Sequence, residues 1–107
     1  MTVSGGGRAA QDGSTDEAFD YEELTVSETA VGLANASAQA CRHSEIQFVD
    51  GPVTVRVDGP NPTAAVGMTY FNGDRRVFSA METKRLKAIR TEATDGRLKV
   101  TYYRYIL

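Results

Sequence analysis

The residues of this 107-residue chain best suited to bond chemistry are its one cysteine, Cys41, and its one histidine, His43. A thiolate attacks and an imidazole takes its proton, so the pair is a minimal kit for covalent catalysis. Their spacing is two residues. On a strand that puts both on one face, side by side, with no third group to orient the base. The expectation is a small buried thiol beside a partly exposed ring, and no catalysis. Structural zinc needs about four ligands, and no spacing of carboxylates completes the set. No catalytic residue, metal or cofactor is expected.

Other local patterns fail on their own terms. Gly5-Gly6-Gly7-Arg8 lacks the Gly-Lys-Ser/Thr ending and the preceding strand of a phosphate loop. The acidic run Ser14–Glu23 lacks the fixed spacing of a calcium loop. Asn35-Ala36-Ser37 matches a glycosylation sequon, which means nothing without a secretory route. Arg75-Arg76 and "KRLKAIR", with Tyr102, Tyr103 and Tyr105, could make a basic aromatic sheet face that stacks bases. An overall charge of −2 argues against it, because phosphate affinity rests on net positive potential. Nucleic acid is not an expected partner.

The charge is unevenly placed. Residues 1–40 hold one basic residue against seven acidic ones, and residues 41–107 hold eleven against seven. An acidic front and a basic body can be a solvated tail on a mixed surface. Alternatively, the front docks on the basic face of a neighbouring copy, where opposite potentials favour register. No run of 18 apolar residues is present, so no membrane helix is expected. A lone cysteine and no apolar leader fit synthesis in a reducing cytoplasm.

The elements that would position these groups read as β. Residues 1–23 are rich in Gly and acid, with Phe19 and Tyr21 the large apolar groups after Val3. They read as a flexible acidic arm, which cannot bury enough surface to offset its ordering entropy. From residue 24, half-apolar stretches alternate with turn signals. "LTVSETAVGL" mixes alternation with β-branched residues, and "ANASAQA" is a loop or one helical turn. "HSEIQFVD" and "PVTVRVD" alternate with period two across Asp50-Gly51-Pro52. Asn72-Gly73-Asp74 reads as a hairpin turn, "KRLKAIRT" as a strand, and Asp95-Gly96 as a turn before the last strand. That strand puts Leu98, Val100, Tyr102 and Ile106 on one face, a row broken by Arg104, and Lys99, Thr101, Tyr103 and Tyr105 on the other. The prediction is all-β: a small antiparallel β-sandwich or jelly-roll-like domain over 24–107, with the arm at 1–23.

The stretch Asp58-Gly59-Pro60-Asn61-Pro62-Thr63 is a rigid corner, since two prolines fix φ and bias their predecessors to extended geometry. Thr63 can bond nearby backbone, and Asp58 is expected to cap the turn. Together with "LTVSETAVGL", "EIQFVDGPVTVRVDGPNPTAAVG" and "LKAIRTEATDGRLKVTYYR", this corner resembles small tailed-bacteriophage virion proteins over about residues 24–104. The chain departs after the corner, where "MTYFNGDRRVFSAMETK" replaces the usual Gly-His-Leu-Leu. The resemblance implies a non-enzymatic virion structural protein made in the host cytoplasm, a capsid decoration or cement subunit. Its partners would be the major capsid protein or other virion subunits, and further copies of itself in a trimer or ring. A head–tail connector, collar or tail position is the nearest alternative. Asp-Gly-x-x-Pro-Thr also resembles a hairpin of immunoglobulin-like modules on carbohydrate-active enzymes, which implies an adhesion module instead. The expected interface residues are Phe19, Tyr21, Tyr70, Phe71, Arg75, Arg76, Tyr103 and Tyr105.

Overall fold

The computed structural model describes residues 15–106. The part of the expected arm at 1–14 lies outside the described residues. Eight strands and two short helices follow in order. They are β1 (Asp16–Val26), β2 (Val31–Gly32), α1 (Ser37–Ala40), β3 (His43–Asp50) and β4 (Val53–Arg56). Then come β5 (Met68–Tyr70), β6 (Arg75–Ser79), α2 (Ala80–Arg85), β7 (Lys87–Arg90) and β8 (Gly96–Tyr105).

One sheet has the order β1-β8-β3-β6 and the other β2-β7-β4-β5, with every pairing antiparallel. The outermost strands in sequence pair first, β1 with β8, then β2 with β7, β3 with β6, and β4 with β5. The chain is therefore one long hairpin rolled on itself, and rolling adds the β3–β8 and β4–β7 contacts. This is the eight-stranded jelly roll within the predicted sandwich class. The corner at 57–67 is the tip of that hairpin.

Period-two alternation builds the core. Ser44, Ile46 and Phe48 of β3 and Leu98, Val100 and Tyr102 of β8 are fully buried, and Val53, Val55, Phe78, Leu86 and Ala88 meet them. Tyr70 stacks on Phe48 with ring centroids 4.3 Å apart, closing one side between the sheets. Gly96 of β8 sits close against the start of β4. A Cβ there would lie 2.3 Å from Val53 Cγ2 and 2.9 Å from the Gly51 carbonyl oxygen.

Four local expectations are corrected. Residues 16–23 are not an arm: they are strand β1, paired with β8 from Asp16↔Tyr105 to Val26↔Gly96 with a bulge between Ala18 and Asp20. Val26 is the one fully buried side chain of β1, so polar contacts to the basic body supply much of its hold. Tyr102 donates its hydroxyl to Glu22. Arg42 meets Asp16, Arg97 meets Glu23, and Arg104 meets Glu17. These β1 carboxylates meet basic residues of their own chain.

The second correction is α2, which takes Lys84 and Arg85 from the start of "KRLKAIRT"; the rest of that expected strand stands as β7 at Lys87–Arg90. Ser79 Oγ accepts from the Glu82 N–H at 3.1 Å and Glu82 Oε1 accepts from the Ser79 N–H at 2.9 Å, a capping box that starts a helix. Third, Asn72-Gly73-Asp74 turns the chain, but β5 and β6 belong to different sheets. It is an inter-sheet corner, held by Asn72 Oδ1 accepting from the Asp50 N–H and Asp74 Oδ2 accepting from the Phe71 N–H. Fourth, Asp58 does not cap its turn. Arg56 grips it through Nε at 2.9 Å and Nη2 at 2.6 Å, which holds the Asp58 carboxyl below its ordinary range. Thr63 does bond nearby backbone, accepting from the Ala65 and Val66 N–H groups. The corner folds back so that Thr54 Oγ1 donates to the Ala64 carbonyl at 3.4 Å.

Candidate interaction surface

Cys41 and His43 are separated. Cys41 ends α1 instead of lying on a strand, and its buried Sγ approaches the Ala38 carbonyl oxygen at 3.8 Å. Burial raises the thiol's pKa, which suppresses the thiolate that a nucleophile needs. His43 is the first residue of β3 and points to the other side of its sheet. Its ring stacks on Tyr103 at 4.6 Å and 11°, and its Nδ1 lies 3.2 Å from Asp16 Oδ2. Among the described residues no three His, Cys, Asp or Glu side chains gather as a metal site.

What the fold does assemble is the solvent-facing side of the β1-β8-β3-β6 sheet. Registers place Tyr21 and Glu23 of β1 beside Thr101 and Lys99 of β8, then Glu45 and Gln47 of β3, then Val77 and Arg75 of β6. Two shallow hollows lie on this face. One, of about 190 Å³, is lined by Tyr21, Glu45, Gln47, Arg75, Lys99 and Thr101. The other, of about 300 Å³, is lined by Asp16, His43, Glu45, Val77 and Tyr103. Charges are interleaved, with Arg75 Nη1 at 3.7 Å from Glu45 and Arg97 at 3.6 Å from Glu23. Tyr21 donates to Glu23 at 2.9 Å; burial, then that bond, raises its pKa.

The expected interface residues divide into two groups. Tyr21, Arg75 and Tyr103 share this sheet face. Tyr105, half exposed, lies at its end under the Arg42 guanidinium at 3.7 Å. Phe71 is 59% exposed in the β5–β6 corner. Phe19, Tyr70 and Arg76 serve the architecture. Phe19 packs against the core beneath Arg104. Tyr70 takes a hydrogen bond from Arg76 Nη1 at 2.6 Å, which with the Glu82 carboxylate holds that guanidinium over Phe78.

Sequence reasoning missed other exposed apolar groups. Val77 stands on the sheet face, Met68 on edge strand β5, Val66 in the corner, and Met81 on α2. Val77 carried a readable signal, an apolar residue where strand alternation calls for an outward one, whereas Met68 takes an inward position of β5 opposite Val55 and is left exposed at the edge. A further cleft of about 470 Å³, lined by Ala40, Cys41, Arg42, Ala80, Arg104 and Tyr105, opens where α1 and α2 meet the end of β8. Compared with models of known families, with curated proteins and with solved structures, the chain matches none.

Proposed function

We propose that this chain is a non-enzymatic structural subunit of a bacteriophage virion, a capsid decoration protein that works by contact. One observation carries the reading. Among the described residues, eight large apolar side chains, from Tyr21 through Ile106, are at least half exposed around a closed core. They lie on the sheet face, at the hairpin tip, beside α2 and the end of β8, and in the β5–β6 corner. Such scattered anchors suit a subunit that touches several neighbours, each contact modest and multiplied across a lattice. The jelly roll is a frame that capsid and lectin domains both use. The resemblance at the corner and in the last strand favours the first.

The test adds purified protein to capsids lacking it and measures attachment and resistance to heat and osmotic shock. Truncation should stop at residue 14, because residues 16–23 are a strand. Attachment to heads with gained resistance is the expected result. Binding to tail or neck fractions instead would move the subunit to the connector; binding to neither ends the reading. A second reading, a glycan-binding module, is favoured by the polar hollow beside exposed Tyr21. A glycan array with Tyr21→Ala as control tests it: a hit lost in the variant supports it, and no hit removes it.

A further inference from the structure

The two edges of the β1-β8-β3-β6 sheet are opposite in charge. β1 carries Asp16, Glu17, Asp20, Glu22 and Glu23, whereas β6 carries Arg75 and Arg76. Neither edge pairs with another strand among the described residues. An open edge presents unpaired amides and carbonyls, a template for another strand, and proteins blunt edges with charge and bulges. Here the charges block like edges only. β1 against a second β1 sets carboxylates together, and β6 against β6 sets guanidiniums together. β6 against β1 is attractive.

The backbone is phased for that pairing. The Phe48 N–H donates to the Asp74 carbonyl and the Phe48 carbonyl accepts from the Gly73 N–H, so even-numbered β3 residues bond toward β6. With Ile46 opposite Arg76 and Ser44 opposite Phe78, the groups of Arg75, Val77 and Ser79 point out of the sheet edge. The Gly51 N–H donates to Asp95, so odd-numbered β3 residues bond toward β8. Even-numbered β8 residues then bond to β1. Asp20, Glu22 and Leu24 oppose Tyr102, Val100 and Leu98. The groups of Tyr21, Glu23 and Thr25 therefore point out of the opposite edge. The Tyr21 N–H is met only by its neighbour's Asp20 Oδ1 at 2.8 Å, as befits an amide without a ladder partner.

We propose that the sheet continues from copy to copy, β6 of one chain pairing antiparallel with β1 of the next, Arg75 opposite the partner's Glu23 and Val77 opposite the partner's Tyr21. All four side chains lie on the same sheet face, and all four residues have outward-pointing backbone groups. Val77 and Tyr21, 57% and 50% exposed, would cover each other. On the core side Arg76 would oppose the partner's Glu22, again opposite in charge. A slip by two residues sets Val77 against Glu23, or runs into the bulge at Phe19. The direction is right as well, since β1 runs with β3 and against β6. The contact is heterologous, so copies close into a ring or extend as a row. It gives the proposed virion subunit a mode of self-assembly but stands on its own observations. Self-pairing without capsid attachment would keep this inference and end the other reading.

Sedimentation velocity of the full chain at low salt, up to about 1 mM protein, tests it. Wild type should associate with rising concentration. Arg75→Glu and Glu23→Arg should each weaken association at least about tenfold. An equimolar mixture of the two should regain it, because every alternating contact again pairs opposite charges. Recovery in the mixture also shows that both variants fold. Val77→Pro, which removes an outward N–H and the side chain facing the partner's Tyr21 but no ladder bond within the chain, should abolish association without losing the β spectrum. Monomeric wild type throughout, or association equal in all variants, would overturn the pairing.

Discussion

Asp20 concentrates more bonds than any other carboxylate on β1. It accepts from Ser37 Oγ at 2.6 Å, from the Tyr21 N–H and from Asn35 Nδ2. These bonds, Ser37's first, hold its carboxyl below the ordinary value of 3.8, against the opposing effect of burial. A depressed carboxyl adds stability that is complete above the unfolded value and fades as pH falls through the folded one. Asp20→Asn should lower the urea midpoint at neutral pH, and the gap to wild type should close below pH 3.8. A gap that stays constant down to pH 2 would contradict this (about the lower limit of such carboxyls). Single residues were legible where periodicity speaks. The alternation in "GRLKVTYY" gave the buried Leu98, Val100 and Tyr102 directly. The Asp20 cluster was not legible, because Asn35 and Ser37 lie far along the chain and meet it only after β1 joins the sheet.

At the scale of elements, one local pattern has two outcomes. Ser14-Thr15-Asp16-Glu17 has helix-capping residues yet leads into strand β1, whereas Ser79 and Glu82 stand in the same pattern and do start α2. The local signal is equal, and tertiary packing decides. β1 has an antiparallel partner offering Arg97, Tyr102 and Arg104, while α2 buries Thr83, whose Oγ1 lies 2.8 Å from Ser44 Oγ in the core. Ser79→Ala should cost about 1 kcal/mol in chemical unfolding, and a loss near zero would mean packing alone holds α2. Gly96 marks where sequence suggested a turn but not its tightness. Gly96→Ala should cost about 1–3 kcal/mol, since the new methyl meets Val53 and the Gly51 backbone. An unchanged midpoint would show that the sheets can move apart there.

For the molecule as a whole, recurring turn signals between short alternating segments sufficed to name a sandwich. They did not give the sheet partition, because a corner between sheets and a hairpin use the same Asn-Gly and Asp-Gly residues. They also placed the domain boundary too late, since β1 looks like a solvated acidic tail until its basic partner strand lies beside it. The rolled hairpin brings Asp16 directly opposite Tyr105 and puts the 91–95 loop beyond Val26↔Gly96, at the far end of the same ladder. The domain should therefore be mechanically anisotropic. A pull between residues 15 and 106 loads the β1–β8 ladder one rung at a time and should peel it at low force. A pull between residue 15 and the 91–95 loop shears the β1–β8 ladder, loading its rungs together, and should need several times more. Single-molecule stretching through those two attachment pairs would measure the ratio, and equal rupture forces would contradict it. A subunit gripped through residue 15 and strained along the second direction resists, whereas one gripped at both ends of the roll opens like a zip.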